Sequence, residues 1–160
     1  MANCFEIIKY KQQIGSMLIN SPEIVALINN TEIEEPDELI GKNIFNFIRY
    51  PFAPEEELCY ICFEVDVPET YSNRNFLFKK LVLTFYIVSH ERLMPTSDPS
   101  GGTRNDLISA HIDKIFNGYK GIGKNALELI SNTASSISTK HRCRIMTFAA
   151  EDLNLDKCKS

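Results

Sequence analysis

The stretch Phe76-Leu-Phe-Lys-Lys-Leu-Val-Leu-Thr-Phe-Tyr-Ile-Val-Ser-His90 is the longest strand candidate in the chain and decides its fold class. Both of its alternating faces are largely apolar, with Leu81, Leu83, Phe85 and Ile87 on one and Val82, Tyr86 and Val88 on the other. Successive side chains of a strand point to opposite faces of a sheet. This strand is therefore either central and covered on both sides, or it presents one face to another subunit.

Three more segments are predicted to be strands. Cys59 to Val67 alternates apolar and polar residues, which is typical of a half-buried strand, and a turn containing Pro68 separates it from the long strand. Ala126 to Ile130 and Arg142 to Ala150 are shorter candidates. We expect Ser131 to Thr139 to be a polar connection and Glu151 to Ser160 to be a polar tail.

The helices are predicted from apolar spacing and from capping residues. Phe5, Ile8, Ile14 and Leu18 recur roughly at helical spacing. Ser21-Pro22 is suited to start a second short helix over Glu23 to Asn29. Asp37 is expected to cap a helical turn through Ile40. Thr103 and Asp106 resemble a capping box at the start of a helix that runs to Phe116.

The predicted element order is α-α-β-β-α-β-β. It indicates an α+β fold whose antiparallel sheet is built from two β pairs flanking a central helix, with the N-terminal helices packed alongside. The chain has 160 residues, which is the usual size of one domain. We assign one domain to residues 1–155, with an N-terminal helical segment over 1–48, and a polar tail to residues 156–160.

Composition and charge narrow the function classes. The chain carries 17 basic and 21 acidic residues, giving a formal charge of -4, which disfavours a strongly basic nucleic-acid-binding module. No apolar run approaches the roughly 18 residues that span a bilayer, and the N-terminus lacks a signal-peptide pattern, so we expect a cytoplasmic site of synthesis and no membrane partner. The five cysteines are odd in number and scattered, which favours reduced thiols.

Two short motifs favour structural interpretations. The segment Gly118 to Lys124 matches most of a phosphate-binding loop, but Asn125 replaces the magnesium-binding hydroxyl and a helix precedes the loop where the motif needs a strand. Cys59 and Cys62 form a C-x-x-C pair within a predicted strand, where residues three apart point to opposite faces. We expect neither a nucleotide site nor a metal site here.

Two further groups of residues leave alternatives open. His90, His111 and His141 could converge in space, which would permit a small metal-dependent enzyme, although no spacing predicts it. Arg142 and Arg144 lie on one face of the last predicted strand, with Lys140 nearby. They could bind nucleic acid, but the negative total charge favours pairing with acidic residues of a neighbouring strand or subunit.

The second half of the chain, about residues 58 to 154, resembles tailed-bacteriophage neck proteins of the tail terminator or tail-completion group. The resemblance is carried by Phe78 to His90, Arg104-Asn-Asp-Leu-Ile108, Ile115-Phe-Asn-Gly118, Leu127 to Asn132, Arg144-Ile-Met-Thr-Phe148 and Asp152-Leu-Asn154. It implies a small α+β subunit that forms a ring, usually a hexamer, at the head-proximal end of a tail. Such rings end tail-tube polymerisation and join the tail to the head connector. The group has no catalytic residues, so no enzyme activity and no cofactor are expected.

The leading hypothesis is therefore a virion structural protein of the tail or neck, assembled in the host cytoplasm. Its partners would be other copies of itself, the tail tube protein and the head-tail connector, with viral DNA passing through the lumen without specific binding. Another neck ring, such as a head-completion or stopper protein, is the near alternative. The long strand and the Met94 to Thr103 loop are expected at the subunit interface, which would include Tyr86, Val88, Arg92, Met94, Asp98, Arg104, Arg142 and Arg144.

Overall fold

Three α-helices and a five-stranded sheet form the fold over residues 2–69 and 78–153, which the computed structural model describes. The helices are α1 (Ala2–Ile19), α2 (Pro22–Ile28) and α3 (Arg104–Phe116). The strands are β1 (Ile44–Phe45), β2 (Cys59–Glu69), β3 (Phe78–His90), β4 (Glu128–Ser136) and β5 (His141–Leu153). Short 3-10 helices cover Pro36–Leu39 and Glu91–Leu93. The α+β prediction is confirmed, with the N-terminal helices packed alongside the sheet.

The strand order in the sheet is β1-β2-β3-β5-β4. Three neighbouring pairs are antiparallel as predicted, but β1 lies parallel to β2, so the sheet is mixed. The sequence did not reveal β1, because a two-residue strand is too short to show an alternating pattern. The long strand β3 is central, between β2 and β5.

The main core lies between the sheet and the helices. Phe85 of β3 stands at its centre, with ring centroids 4.9 Å from Phe116 of α3, 5.9 Å from Phe148 of β5 and 6.1 Å from Phe63 of β2. Phe85 has no solvent-exposed surface, and neither does Ile14 of α1. Aromatic pairs at these separations add to the stability that burial alone provides. The α-helices thus cover one face of β3, and they are called the helix layer below.

Helix α1 is anchored by a buried polar cluster. The side chain of Lys79 is almost fully buried and pairs with Glu6 of α1 and, at 3.6 Å, with Asp152 of β5. The Tyr10 hydroxyl donates a hydrogen bond of 2.9 Å to Asp152. Burial, reinforced by the Asp152 carboxylate, raises the pKa of Tyr10 to about 12. The cluster fixes the buried side of α1 and thereby determines which side faces solvent.

The predicted caps are mostly confirmed. Ser21 accepts a hydrogen bond from the Ile24 amide, and Pro22 opens α2. Thr103 and Asp106 form the expected capping box of α3. The cap at Asp37 was wrong: the N-cap of this 3-10 helix is Glu35, two residues earlier, because Glu35 and Glu38 form the reciprocal capping pair.

Two predicted boundaries were also wrong. Residues 131–136 continue β4 rather than forming a connection, because their backbone pairs with β5 although their side chains are small, mostly polar and exposed. An edge strand of this kind carries no apolar alternation for a sequence pattern to detect. Residues 151–153 extend β5 by pairing with β3. Part of the predicted turn, residues 70–75, the first two residues of the predicted long strand and the rest of the polar tail lie outside the described residues.

Candidate functional site

The sheet has a second face, opposite the helix layer, that is only partly covered. A small cluster of buried side chains lies at one end of this face: Phe45, Tyr60, Cys62, Val88 and Cys143. Residues 46–58, called the covering segment below, lie over this cluster. The covering segment has no regular strand or helix, so side-chain contacts must hold it in place.

Two buried histidines hydrogen-bond the backbone of the covering segment to the sheet. The rings of His90 and His141 meet edge to face, 5.1 Å apart, and both residues are buried. His90 Nε2 lies 3.1 Å from the carbonyl oxygen of Pro54, and His141 Nε2 lies 2.8 Å from that of Glu56. A carbonyl oxygen can only accept a hydrogen bond, so each Nε2 carries the proton. His90 Nδ1 then accepts from the Arg92 amide at 3.2 Å, which fits a neutral ring.

Arg49, which belongs to the covering segment, binds the segment to the aromatic side chains beneath it. Its guanidinium lies over the rings of Phe45, Phe52 and Tyr60 at 4.6 to 5.3 Å and pairs with Glu56 at 2.5 Å. Its Nη1 is buried without a hydrogen-bond partner, and the surrounding aromatic faces are the groups that can interact with that N–H. Its backbone carbonyl accepts from the Tyr60 hydroxyl at 3.0 Å. The segment is therefore fixed to the sheet through one side chain and its own backbone.

The outward side of the covering segment is apolar. Phe52 is 87% exposed and Tyr50 is 65% exposed, and Phe47 and Ile48 are exposed beside them. These four side chains are called the apolar ridge below. Exposed aromatic residues on a rigidly held segment are the usual composition of a protein contact surface. Sequence reasoning missed the ridge; the available signal was the density of aromatic and proline residues in Arg49 to Pro54.

The rest of the second face is open sheet. Tyr86 lies there, half-buried, between Cys62 of β2 and Ile145 of β5. Burial raises the pKa of Tyr86, and the nearby Asp66 carboxylate raises it further. The predicted interface residue Tyr86 is thus available for contact. Val88, two residues further along the same face, has no exposed surface and belongs to the small cluster under the covering segment.

Four other predicted interface residues lie in the stretch from the 3-10 helix after β3 to the start of α3. Arg92 is exposed and pairs with Glu57 at 2.6 Å. Asp98 is exposed in the loop before α3 and bonds Ser100. Met94 is half-buried, and its carbonyl accepts from the Arg104 amide. The Arg104 side chain donates to the carbonyl of Leu93 at 2.7 Å and to that of Leu27, so it joins the loop to α2.

The basic side chains at the start of β5 pair with acidic residues of the same chain. Arg144 meets Asp106 of α3 at 2.8 Å, and Arg142 lies 3.5 Å from Glu91. Lys140 also pairs with Glu91, at 3.2 Å. The pairing interpretation of these residues is confirmed, because each cation has an acidic partner on an adjacent element.

The two short motifs have the structural roles expected from their context. The Gly118 amide donates to the Leu127 carbonyl at 2.7 Å, which closes the connection from α3 into β4. Cys59 belongs to the main core and Cys62 to the small cluster, so the two thiols lie on opposite faces of the sheet. Over residues 2–69 and 78–153, no group of three or more His, Cys, Asp or Glu residues is placed to hold a metal ion. His111 lies on α3, across the sheet from the His90–His141 pair.

Buried thiols give a direct test of the two clusters. Burial raises the pKa of Cys59, Cys62 and Cys143 to about 11 each. In a Cys4→Ser, Cys158→Ser variant, we expect iodoacetamide at pH 8 to label the three thiols at least about 100-fold more slowly in the native protein than in urea, because the thiolate is scarce and inaccessible. Mass spectrometry of the labelled peptides measures this. Rapid native labelling of Cys59 would contradict the core assignment.

Edge strand β4 is a further accessible feature. All its side chains from residue 130 to residue 136 are exposed, and its outer edge faces no other strand in the described part of the chain. It contains no lysine or proline, the residues that commonly protect an edge from pairing.

No helix among the described residues is both long enough and apolar enough to cross a membrane.

The chain has a small α+β fold with helices on one face of a mixed sheet and a partly open second face. The YomW family model matches residues 12–150, and the chain belongs to the YomW family. A solved chain in the virion of a native gene transfer agent particle has a similar fold, with a TM-score of 0.53. That match covers 87% of this chain and 90% of the other at 12% sequence identity. No curated protein matches the chain.

Proposed function

We propose that the chain is a structural protein of a phage-like particle that assembles into a ring at the head-proximal end of the tail. There it would end tail-tube polymerisation and join the tail to the head connector. The observation that carries the proposal is the shared fold with a chain of the gene transfer agent virion over most of both chains. The YomW family is phage-derived, which supports the same assignment.

The exposed surfaces support an assembly role. A closed ring needs two different surfaces on each subunit, so that one copy can contact the next head to tail. The unprotected edge of β4 and the open second face are two such surfaces. An unpaired edge can also add its strand to the sheet of a neighbour.

The partners follow from this role. They are other copies of the chain, most simply six, together with the tail tube protein and the head-tail connector. The net charge of -4 suits a lumen through which DNA passes, since like charge disfavours a bound state. A head-completion or stopper ring would use the same surfaces, and the two roles differ in whether the ring caps purified tail tubes.

The native mass across a range of concentrations tests the proposal. We expect a discrete species of about six subunits, in free solution or on added tail tubes, and tubes of fixed length when the protein is present. A chain that remains monomeric with and without tubes, and leaves tube length unchanged, would overturn the tail-terminator role.

Tyr86→Asp separates assembly from folding. Tyr86 is half-buried on the open second face, so we expect the variant to fold while its ring dissociates, because a contact there would bury an unpaired carboxylate. Sedimentation velocity measures the assembly, and circular dichroism measures the fold. Tyr86→Phe is the matched control and should assemble normally. A Tyr86→Asp ring of wild-type mass would contradict the predicted interface.

A further inference from the structure

The two buried histidines are held in the neutral form by the hydrogen bonds of their ring nitrogens. Both Nε2 atoms donate to backbone carbonyls of the covering segment. His90 Nδ1 accepts from the Arg92 amide at 3.2 Å. His141 Nδ1 lies 2.8 Å from the Ser138 hydroxyl. Because the proton of His141 is on Nε2, Nδ1 accepts this bond and the hydroxyl donates it. Each ring therefore makes one bond as a donor and one as an acceptor.

A proton added to either ring would break a hydrogen bond. On His90, the new N–H would face the N–H of Arg92, and two donors cannot bond each other. On His141, it would face the Ser138 oxygen, which already accepts from the amides of Lys140 at 3.2 Å and of His141 at 3.1 Å. A hydroxyl oxygen has two lone pairs, so a third donor would displace one of these amides. The two rings keep all four bonds only while they are uncharged.

The charged groups around the pair are already joined to partners. They form ion pairs in which Arg49 binds Glu56, Arg92 binds Glu57, and Lys140 and Arg142 bind Glu91. The side chain of Glu55, on the same segment, is exposed. Tyr60 and Cys143 of the small cluster stay uncharged at neutral pH, because burial raises the pKa of each. Two protonated rings with centroids 5.1 Å apart would also repel each other. Proton uptake therefore opposes the closed arrangement.

We propose that the His90–His141 pair is an acid-sensitive switch that releases the covering segment when the rings take up protons. Once the segment is released, the rings meet solvent, where a histidine takes up a proton near about pH 6.5. The released state then binds more protons than the closed state, so the closed state loses stability as the pH falls below that value. The apolar ridge belongs to this segment, and its order therefore depends on pH. The inference does not rest on the proposed ring.

The other acid-sensitive contact of the segment acts in a lower pH range. Burial opposes ionisation of Glu56, but hydrogen bonds from Arg49 and the Phe52 amide outweigh it and lower the pKa. The stability that this carboxylate contributes is lost below about pH 4. Measurements between pH 7.5 and pH 5.0 therefore report on the histidines.

Thiol labelling at these two pH values tests the switch. In the Cys4→Ser, Cys158→Ser background, Cys62 and Cys143 lie in the small cluster and Cys59 lies in the main core on the other face. The probe is a dipyridyl disulfide, and each rate is taken relative to that of the urea-unfolded protein at the same pH. On acidification we expect the relative rates of Cys62 and Cys143 to rise at least about tenfold, with a ceiling of about 1,000-fold for two protons. The relative rate of Cys59 should stay unchanged.

Glutamine variants identify the groups that take up the protons. In the His90→Gln, His141→Gln variant, each side-chain amide can still donate near the position of Nε2, but it binds no proton. We expect wild-type protection of both thiols at pH 7.5 and no rise at pH 5.0. His111→Gln is the matched control, because His111 lies on α3 in the helix layer, and it should keep the full acid response.

Single variants keep the test decisive if the double variant is already open at pH 7.5. His90→Gln or His141→Gln alone removes one of the two proton sites. Each should therefore lower the slope of the logarithm of the relative rate against pH, by up to about one.

Three results would overturn the proposal. The first is a wild type whose Cys62 and Cys143 react at the same relative rate at both pH values. The second is an acid response that is undiminished in all three glutamine variants, which would assign the protons to other groups. The third is an equal rise at Cys59, which would show unfolding of the whole domain instead of release of the segment. The native mass, which tests the ring, is a separate measurement.

Discussion

Val88→Asp is expected to leave the subunit unfolded. Val88 has no exposed surface and packs with Tyr60, Cys62 and Cys143 beneath the covering segment. A carboxylate at this position would be buried among the largely apolar side chains of this cluster. The cost of such a change exceeds about 4 kcal/mol, which approaches the lower end of the roughly 5–15 kcal/mol that stabilises an ordinary domain.

Circular dichroism and thermal unfolding measure this result. Val88→Thr keeps the branched shape and adds a single hydroxyl, so it should lower stability by about 1–3 kcal/mol and still fold. The contrast with Tyr86→Asp matters, because Tyr86 lies two positions away on the same face but is only half-buried. A cooperatively folded Val88→Asp subunit with the wild-type melting temperature would show that the small cluster is open to solvent.

Arg49→Met is expected to release the covering segment while the rest of the fold remains. The variant removes the cation from three aromatic rings and leaves Glu56, which is partly buried, without its ion-pair partner. Breaking a buried pair from one side costs about 3–5 kcal/mol, and the partial exposure of this pair places the loss near about 3 kcal/mol. We expect faster amide hydrogen exchange across residues 46–58, including the Phe52 amide that donates to Glu56 at 2.8 Å.

The same variant should change the response to acid. In the wild type, burial acts to raise the pKa of Glu56, but hydrogen bonds from Arg49 and the Phe52 amide outweigh it and leave the pKa lowered. A carboxyl whose pKa is lowered on folding contributes stability above its ordinary pKa, and that stability is lost as the pH falls below about 4. Arg49→Met should remove this contribution, because only the effect of burial and one amide bond remain.

Arg49→Lys provides the control. Lysine keeps the charge but lacks the planar fork that both stacks on rings and pairs with a carboxylate, so its stability and exchange rates should fall between those of the wild type and Arg49→Met. Unchanged hydrogen exchange over residues 46–58 in Arg49→Met would show that the histidine pair alone holds the segment.

The sequence predicted the features that depend on neighbours along the chain. The α+β class, the long strand β3 and the Thr103–Asp106 capping box follow from spacings of two to four residues, whereas the central position of β3 was one of two alternatives. The same local rule correctly placed Cys59 and Cys62 on opposite faces. Where no periodic pattern exists, as in β1 and in the polar half of β4, prediction failed although the backbone pairing is regular.

The candidate site could not be predicted in this way, because its contacts join residues far apart in sequence. His90 and His141 meet only because β3 and β5 pair in the register that sets the two residues opposite each other. Their hydrogen bonds to Pro54 and Glu56 then hold a segment that has no periodic pattern of its own. The sequence by itself determined the longer elements, whose apolar spacing is periodic, and the side chains that these elements turn toward the main core. Only the tertiary structure decided which surfaces remain exposed, since that depends on long-range packing and not on local spacing.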